Sequence, residues 1–372
     1  MKVILTIAAG RRLTMSSLIP QLLAQTGWDE MHVWVNTNNH DDLVFLSKLP
    51  KLDSRIKLKF LDVLAKTHVA DGYYQQSRVA GNLGEWWPAH CTDPDAIYVR
   101  FDDDIVFVEQ GTVQALVEAR LKYPDPYLIF PVIINNGVMA HFLESNGKLK
   151  NPKYQSYTPY VFDPLIWSAD LCFDIHEQFL FNAKLHGVEH FHIPNRDFDP
   201  QHISINCMTF FGKDIAAWGG KFYDNGEEGF ITCQVPFWNQ RKLMVMGSKV
   251  VSHFGFSPQR AHWEGNTADE DVKMYVGQRQ TLGEVTSELQ HKFETNQEFR
   301  ELVIKRVNYW NKQLEILEKY RDLVLDNYDV YSYPIEHDTW DWQVLNQEIQ
   351  DFKDRSAKQT DKNTTISSAS YA

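Results

Sequence analysis

Ala96-Ile97-Tyr98-Val99-Arg100-Phe101-Asp102-Asp103-Asp104-Ile105-Val106-Phe107 is the stretch that decides how this chain reads. Apolar and β-branched residues crowd both sides of three consecutive acids. The run before the acids has the character of a strand buried in a parallel sheet. A carboxylate left dry and unpaired costs several kcal/mol, so three of them closing such a strand need a reason. A divalent cation at the carboxyl edge of the sheet removes the conflict, because open α/β sheets bind ligands there. Mg2+ and Mn2+ take oxygen ligands and share them with substrate phosphates. The run therefore points to a metal–diphosphate site, with a solvated acidic turn as the plain alternative.

Outward from this run, the first half of the chain alternates strand and helix signals. Val3 to Ala8, Met31 to Val35, Ile56 to Val63, Ile97 to Phe101 and Tyr127 to Ile134 read as strands. Residues 13–26, 41–48, 72–90 and 110–122 carry apolar positions at helical spacing. Strands separated by helices make βαβ units and a mainly parallel sheet with right-handed crossovers. Residues 135–165 show no clear period. Helix returns over 165–185, and 186–203 reads as a long loop holding His186, His190, His192 and His202. Long irregular loops inside a compact domain usually carry function. Ser204 to Phe211 and Leu243 to Val251 are strand-like, 227–240 helical, and 284–328 helical with mixed charge. The segment from Ser356 onward is polar and expected to be disordered.

The bulk numbers exclude some classes. The 372 residues fill one large domain or two smaller ones, and 43% hydrophobic content builds a normal core. A net charge of −12 disfavours nucleic acid and anionic lipid as partners. Cys91, Cys172, Cys207 and Cys233 form no CxxC pair and are expected to be reduced thiols of a cytoplasmic protein. The opening Met1-Lys2-Val3-Ile4-Leu5 is too short for a signal peptide, and no run of about 18 apolar residues would span a membrane.

The acidic run has companions further on. Gly226-Glu227-Glu228-Gly229-Phe230 opens a helix, and Val250-Val251-Ser252-His253-Phe254 closes a late strand. Strand-end acids, a helix-opening acid pair and a strand-end histidine form an ordered set. In that order these residues resemble the GT-A type nucleotide-sugar glycosyltransferases, especially the large inverting family 2, whose nucleotide-binding half ends in an Asp-x-Asp motif. The resemblance covers residues 1–256. It implies a GT-A, Rossmann-like α/β domain over 1–260, with a nucleotide-binding half at 1–107 and an acceptor half at 108–260. A helical C-terminal extension at 261–355 and the tail at 356–372 would follow.

Carried over by motif, the resemblance makes Asp102 and Asp104 ligands of Mn2+ or Mg2+, with His253 completing the metal or diphosphate contacts. Asp102 could instead face the nucleotide ribose, and Asp103 could share either role. Glu228 matches the general base, with Glu227 as its alternate. Gly81-Asn82-Leu83-Gly84 resembles the family's donor-site stretch, so Asn82 and the preceding Arg78 would touch the donor. Ala8-Ala9-Gly10-Arg11-Arg12 stands where the family has a Pro-containing turn, which places Ala8 and Arg11 beside the diphosphate. Asn36 occupies the base-reading position, where an Asp or Glu is usual. Trp218, just before the acid pair, would stack on an acceptor sugar.

The reaction so implied is metal-dependent transfer of a sugar from a UDP- or GDP-sugar to a hydroxyl of a glycan or other acceptor. A metal stabilises the departing nucleoside diphosphate, and a carboxylate takes the acceptor proton. The same metal site would also serve nucleotidyl or phosphoryl transfer, and a non-catalytic carbohydrate-binding protein could keep the fold. The C-terminal helices could cover the sheet, form a homo-oligomer or, less in keeping with their mixed charge, lie on a membrane surface.

Overall fold

The structure, a computed structural model, describes residues 1–37, 39–60, 87–150, 156–161, 167–220, 227–256, 259, 270–281, 284–329, 347, 349–351 and 353–354. It divides into two compact units. The first comprises Met1–Gln259 together with Ile316–Ile335, and the second comprises Arg260–Glu315 together with Glu336–Ala372.

The first unit is built on a nine-stranded sheet. In chain order its elements are β1 (Lys2–Ala9), α1 (Arg12–Ala24), β2 (Glu30–Val35), α2 (His40–Leu52), β3 (Ile56–Phe60), α3 (Trp87–His90), β4 (Ala96–Asp102), β5 (Ile105–Val108), α4 (Thr112–Lys122) and β6 (Ile129–Ile134). There follow α5 (Gly137–Ser145), α6 (Ala169–His186), β7 (Arg196–Phe198), β8 (Cys207–Phe211), α7 (Gly212–Ala216), α8 (Glu227–Gly229), α9 (Val235–Trp238) and β9 (Leu243–His253). A π turn over Phe230–Gln234 joins α8 to α9.

The strand order is β3-β2-β1-β4-β8-β6-β9-β5, with β7 on β9. β1, β2, β3 and β4 pair in parallel. β8 runs antiparallel to both β4 and β6, so β6 shares the direction of β4, and β9 is parallel to β6. Six strands therefore end on one edge, which agrees with the mainly parallel α/β sheet the sequence implies. The reversed strands are β5, β7 and β8. β5 and β8 carry the same apolar pattern as the rest, so direction leaves no local signature, and β7, Arg-Asp-Phe with only Phe198 buried, forms inside the segment the sequence reads as a loop.

The sheet is apolar on both faces, as helix-covered sheets are. Val3, Leu5, Ile7, Ile97, Val99, Phe101, Val132 and Ile134 are all buried. β5 lies at the end of the sheet, and side chains close its outer backbone edge. Gln21 donates from Nε2 to Val106 O at 3.1 Å and accepts from Val108 N at 2.8 Å, and the Tyr328 hydroxyl donates to Val108 O. An open strand edge is a pairing hazard, and these bonds remove it.

Two helices fall outside the expected pattern. α5 sits in the segment that shows no period, because Val138, Met139, Ala140, Phe142 and Leu143 are buried on every side of it. Asn136 starts it, accepting from Met139 N. Glu270–Thr281 (α10) is also helical, ahead of Ser287–Thr295 (α11) and Gln297–Asn327 (α12). The sequence reads 284–328 as one helical stretch, but Asn296 breaks it, capping α12 by accepting from Phe299 N at 3.0 Å. The core of the second unit gathers Val272, Tyr275, Phe293, Phe299, Val303 and Ile349. From Ile316 onward α12 belongs to the first unit. Of the helix expected over 72–90, only α3 lies among the described residues, and the tail from 356 lies outside them.

Candidate metal and substrate site

The acids stand where β4 leaves the sheet. Asp102 is its last residue and pairs in register with Ala8 of β1. Asp103 and Asp104 form the turn that carries the chain to β5, which pairs with β9. That crossing brings Asp104 beside the end of β9, with His253 Nε2 at 3.4 Å from Asp104 Oδ1. The Phe254 N–H donates to the Asp104 carbonyl at 2.8 Å, tying the two strand ends together. Ligand atoms of Asp102, Asp104 and His253 all lie within 4.8 Å of one another, the one such group among the described residues. Two carboxylates and an imidazole suit a divalent cation such as Mn2+, with the oxygens fitting Mg2+ as well.

Each acid has its own support. Asp103 accepts from Gly10 N at 2.8 Å and from the Arg11 guanidinium, which also lies 3.0 Å from Asp104 Oδ2. The Asp103 carbonyl accepts from Thr14 Oγ1 at 2.7 Å. Asp102 accepts from Asn206 Nδ2 at 3.1 Å and pairs with Arg100 at 2.8 Å. Burial pushes the Asp102 carboxyl above its usual range; Arg100 works against this, and the neighbouring Asp104 adds to it. A cation placed among these groups would relieve both burial and repulsion.

Arg100 is the residue the sequence reading passes over. It is buried in β4, with Nη1 donating to the Ile205 carbonyl and Nη2 3.8 Å from Glu227. Burial opposes its charge, but Asp102, Glu227 and Glu228 outweigh that and hold its pKa above the ordinary value. An arginine two residues before an acid run on a strand was the available signal. Arg100 links the two parts of the ordered set. Glu228 sits beside Glu227 at the start of α8, accepting from Ser204 Oγ at 3.3 Å and Ile205 N at 3.4 Å, with His202 Nε2 at 3.5 Å. Its side chain remains about one third open, at 35%. Asn136 ties this floor to β6, donating to Ser204 O and Asn206 Oδ1, both at 3.0 Å.

The structure thus brings Ala8, Arg11, Asp102, Asp103, Asp104, Glu227, Glu228 and His253 to one sheet edge. Asn36 follows β2 at the same edge, its N–H on Ala9 O at 2.8 Å. Its side-chain oxygen is buried and has no hydrogen-bond partner among the described residues, an acceptor open to a donor group. Arg78 and Asn82 lie outside the described residues. Trp218 is placed elsewhere: its Nε1 donates to the Tyr127 hydroxyl at 2.8 Å, and its ring meets Phe230 edge-on. Tyr127 precedes β6 at the strand's amino end, whereas the acids lie near its carboxyl end. The loop histidines also disperse. His186 stacks on His190, His192 pairs with Glu109 at 2.9 Å, and of the four it is His202 that pairs with Glu228.

No protein-family model matches the chain, and no curated protein matches it in sequence. Among solved structures, it is similar to 4-diphosphocytidyl-2C-methyl-D-erythritol synthase from Anaerococcus prevotii. The identity is 10%, over 69% of this chain and 90% of that one, with a TM-score of 0.30. Among the described residues, no helix is long and apolar enough to cross a membrane.

Proposed function

We propose that the protein is a divalent-metal-dependent transferase acting on a nucleoside-diphosphate-linked substrate. The observation that carries this reading is the convergence of Asp102, Asp104 and His253 at the sheet edge where α/β folds bind ligands. The donor set fits Mn2+ or Mg2+, which when bound would neutralise charge developing on a leaving phosphate. The rest of the work falls to side chains. Arg100 would hold Asp102 ionised and keep it facing the site. Asn36 would offer its buried acceptor oxygen to an N–H of the base.

Glu228 supports glycosyl transfer as the reaction. Its partly open carboxylate could take the proton of an acceptor hydroxyl, with Ser204, Ile205 and His202 fixing its orientation. A sugar nucleotide and a hydroxyl acceptor would then be the substrates. Arg11 favours a second reading, nucleotidyl transfer. Its guanidinium lies directly on Asp103 and Asp104, so once a metal took Asp104 the side of the guanidinium released from that acid could pair with a triphosphate.

One assay separates the two. The protein is incubated with Mn2+ and either UDP- and GDP-sugars with hydroxyl acceptors, or nucleoside triphosphates with sugar phosphates. Glycosyl transfer releases a nucleoside diphosphate, and nucleotidyl transfer releases pyrophosphate. Asp104→Ala should abolish whichever is seen while the chain stays folded. Full turnover in that variant, or turnover indifferent to metal removal, would overturn the reading.

A further inference from the structure

His253 is bracketed by two residues that leave β9 in the same hydrogen-bond circuit. On its amino side, Ser252 Oγ lies 2.6 Å from the Tyr320 hydroxyl of α12. The Tyr320 hydroxyl lies 2.7 Å from His176 Nδ1 of α6, and His176 Nε2 lies 2.8 Å from the Phe254 carbonyl, on the carboxyl side of His253. Ser252, Tyr320, His176 and Phe254 are all at most 4% exposed.

The direction of each bond follows from valence. A carbonyl only accepts, so His176 Nε2 carries the hydrogen. Burial pushes the His176 imidazole down to about 4, so the ring is neutral and its Nδ1 accepts. The donor to Nδ1 is the Tyr320 hydroxyl, which spends its single proton there. Ser252 must then donate to Tyr320. The circuit runs Ser252 to Tyr320 to His176 to the Phe254 carbonyl, with no choice at any step. The same carbonyl also accepts from Asn135 Nδ2 at 3.2 Å and Cys172 Sγ at 3.5 Å, and the Phe254 N–H is held by Asp104.

We propose that Tyr320 and His176 are positioning residues that fix the end of β9 so that His253 faces Asp104. This rests on the reading of Asp102, Asp104 and His253 as the cation site. Partners that orient a metal-binding histidine from behind are worth about 10- to 100-fold in metal affinity when removed. Here they act through the peptides on either side of the histidine, because Nδ1 of His253 itself faces the Asn135 carbonyl at 3.3 Å. The consequence is that a helix some 70 residues beyond the histidine is part of the site's construction.

The test is Mn2+ binding by calorimetry on the full chain. Tyr320→Phe removes the hydroxyl and keeps the ring stacked on Phe179. It should bind Mn2+ about tenfold more weakly while staying folded by circular dichroism. Adding Ser252→Ala to Tyr320→Phe should cost little further affinity, because Ser252 acts through that hydroxyl. Tyr328→Phe is the control: its hydroxyl bonds Gln25 and the Val108 carbonyl, so it should lower the melting temperature and leave Mn2+ binding unchanged. Wild-type affinity in Tyr320→Phe, or an equal loss in Tyr328→Phe, overturns the proposal. If wild type and Asp104→Ala bind Mn2+ alike, the cation reading fails. The positioning role is then decided by a crystal structure of Tyr320→Phe: a separation between His253 Nε2 and Asp104 Oδ1 still at 3.4 Å overturns it, and a changed one sustains it.

Discussion

Arg11 Nη1 stands 3.0 Å from Asp104 Oδ2, and the same guanidinium bonds Asp103. One cation therefore answers two neighbouring buried acids at the turn where a metal is proposed. Arg11→Met keeps the length of the side chain and removes its charge. Without metal, the variant should lose about 1–3 kcal/mol, because two carboxylates lose their counter-charge in a desolvated setting. Mn2+ should restore more stability to the variant than it adds to wild type, since a bound ion supplies the missing charge and stabilises by linkage. Urea unfolding with and without Mn2+ measures both effects. An identical Mn2+ increment in the two proteins would refute the shared role.

Gly10 precedes that arginine and explains why the turn is narrow. Its N–H donates to Asp103, and a Cβ at this position would stand 2.8 Å from the Asn36 carbonyl oxygen. Backbone cannot retreat from such a contact as a flexible side chain can. Gly10→Ala should push the ends of β1 and β2 apart, cost about 1–3 kcal/mol and weaken Mn2+ binding by displacing Asp103. Equal unfolding midpoints for Gly10→Ala and wild type would contradict the crowding.

How much of this was legible in the sequence varies by residue, for physical reasons. The acid run announced itself because three carboxylates interrupt an apolar strand, and His253 because it ends another. Both features are local, and the sheet edge then unites them. Arg100 was overlooked because, inside an apolar strand, one long cation reads as a surface position. Trp218 was drawn toward the site by its closeness to Glu228 in the chain. β8, however, carries the backbone from the acid edge to the far edge before Trp218, whose ring then meets Phe230 and whose Nε1 bonds the Tyr127 hydroxyl. Tyr320 had no local signal at all: its partners are Ser252 and His176, and only the return of α12 to the first unit joins them.

The two helix-opening glutamates differ in what they hold, which makes them separable. Glu227 lies 3.8 Å from the buried Arg100, so Glu227→Gln should destabilise the fold by about 1–2 kcal/mol through the loss of that counter-charge. Glu228 accepts from Ser204 Oγ on one oxygen at 3.3 Å and from Ile205 N on the other at 3.4 Å; in a glutamine the amide oxygen can keep the Ile205 N–H while the amide N–H donates to the Ser204 hydroxyl, which can turn to accept. Glu228→Gln should therefore stay within about 1 kcal/mol of wild type in stability. If glycosyl transfer is the reaction, that same variant should lose turnover by about 100-fold or more, the usual contribution of a general base. Stability comes from urea melts and turnover from nucleoside diphosphate release. Should Glu227→Gln lose turnover at unchanged stability while Glu228→Gln stays active, the base is Glu227.

His176 also makes the fold sensitive to acid in a defined window. Its folded pKa is lowered to about 4, first by burial and further by the nearby His253, against the Phe254 carbonyl, which favours the proton. The unfolded chain takes up that proton near pH 6.5. Between these values the unfolded state binds more protons than the folded one, so stability falls as the pH drops from about 6.5 to about 4 and is at its full value above that range. The difference amounts to about 3 kcal/mol when fully developed. His176→Gln supplies an N–H and an oxygen without a titrating ring, so it should lack this component while sharing every other acid-sensitive group. Unfolding midpoints at about pH 7.5 and about pH 4 should then fall more steeply in wild type than in His176→Gln. Parallel pH dependence in the two proteins would mean that the buried imidazole accepts a proton in the folded state, and the fixed direction of the Ser252–Tyr320–His176 bonds would fail with it.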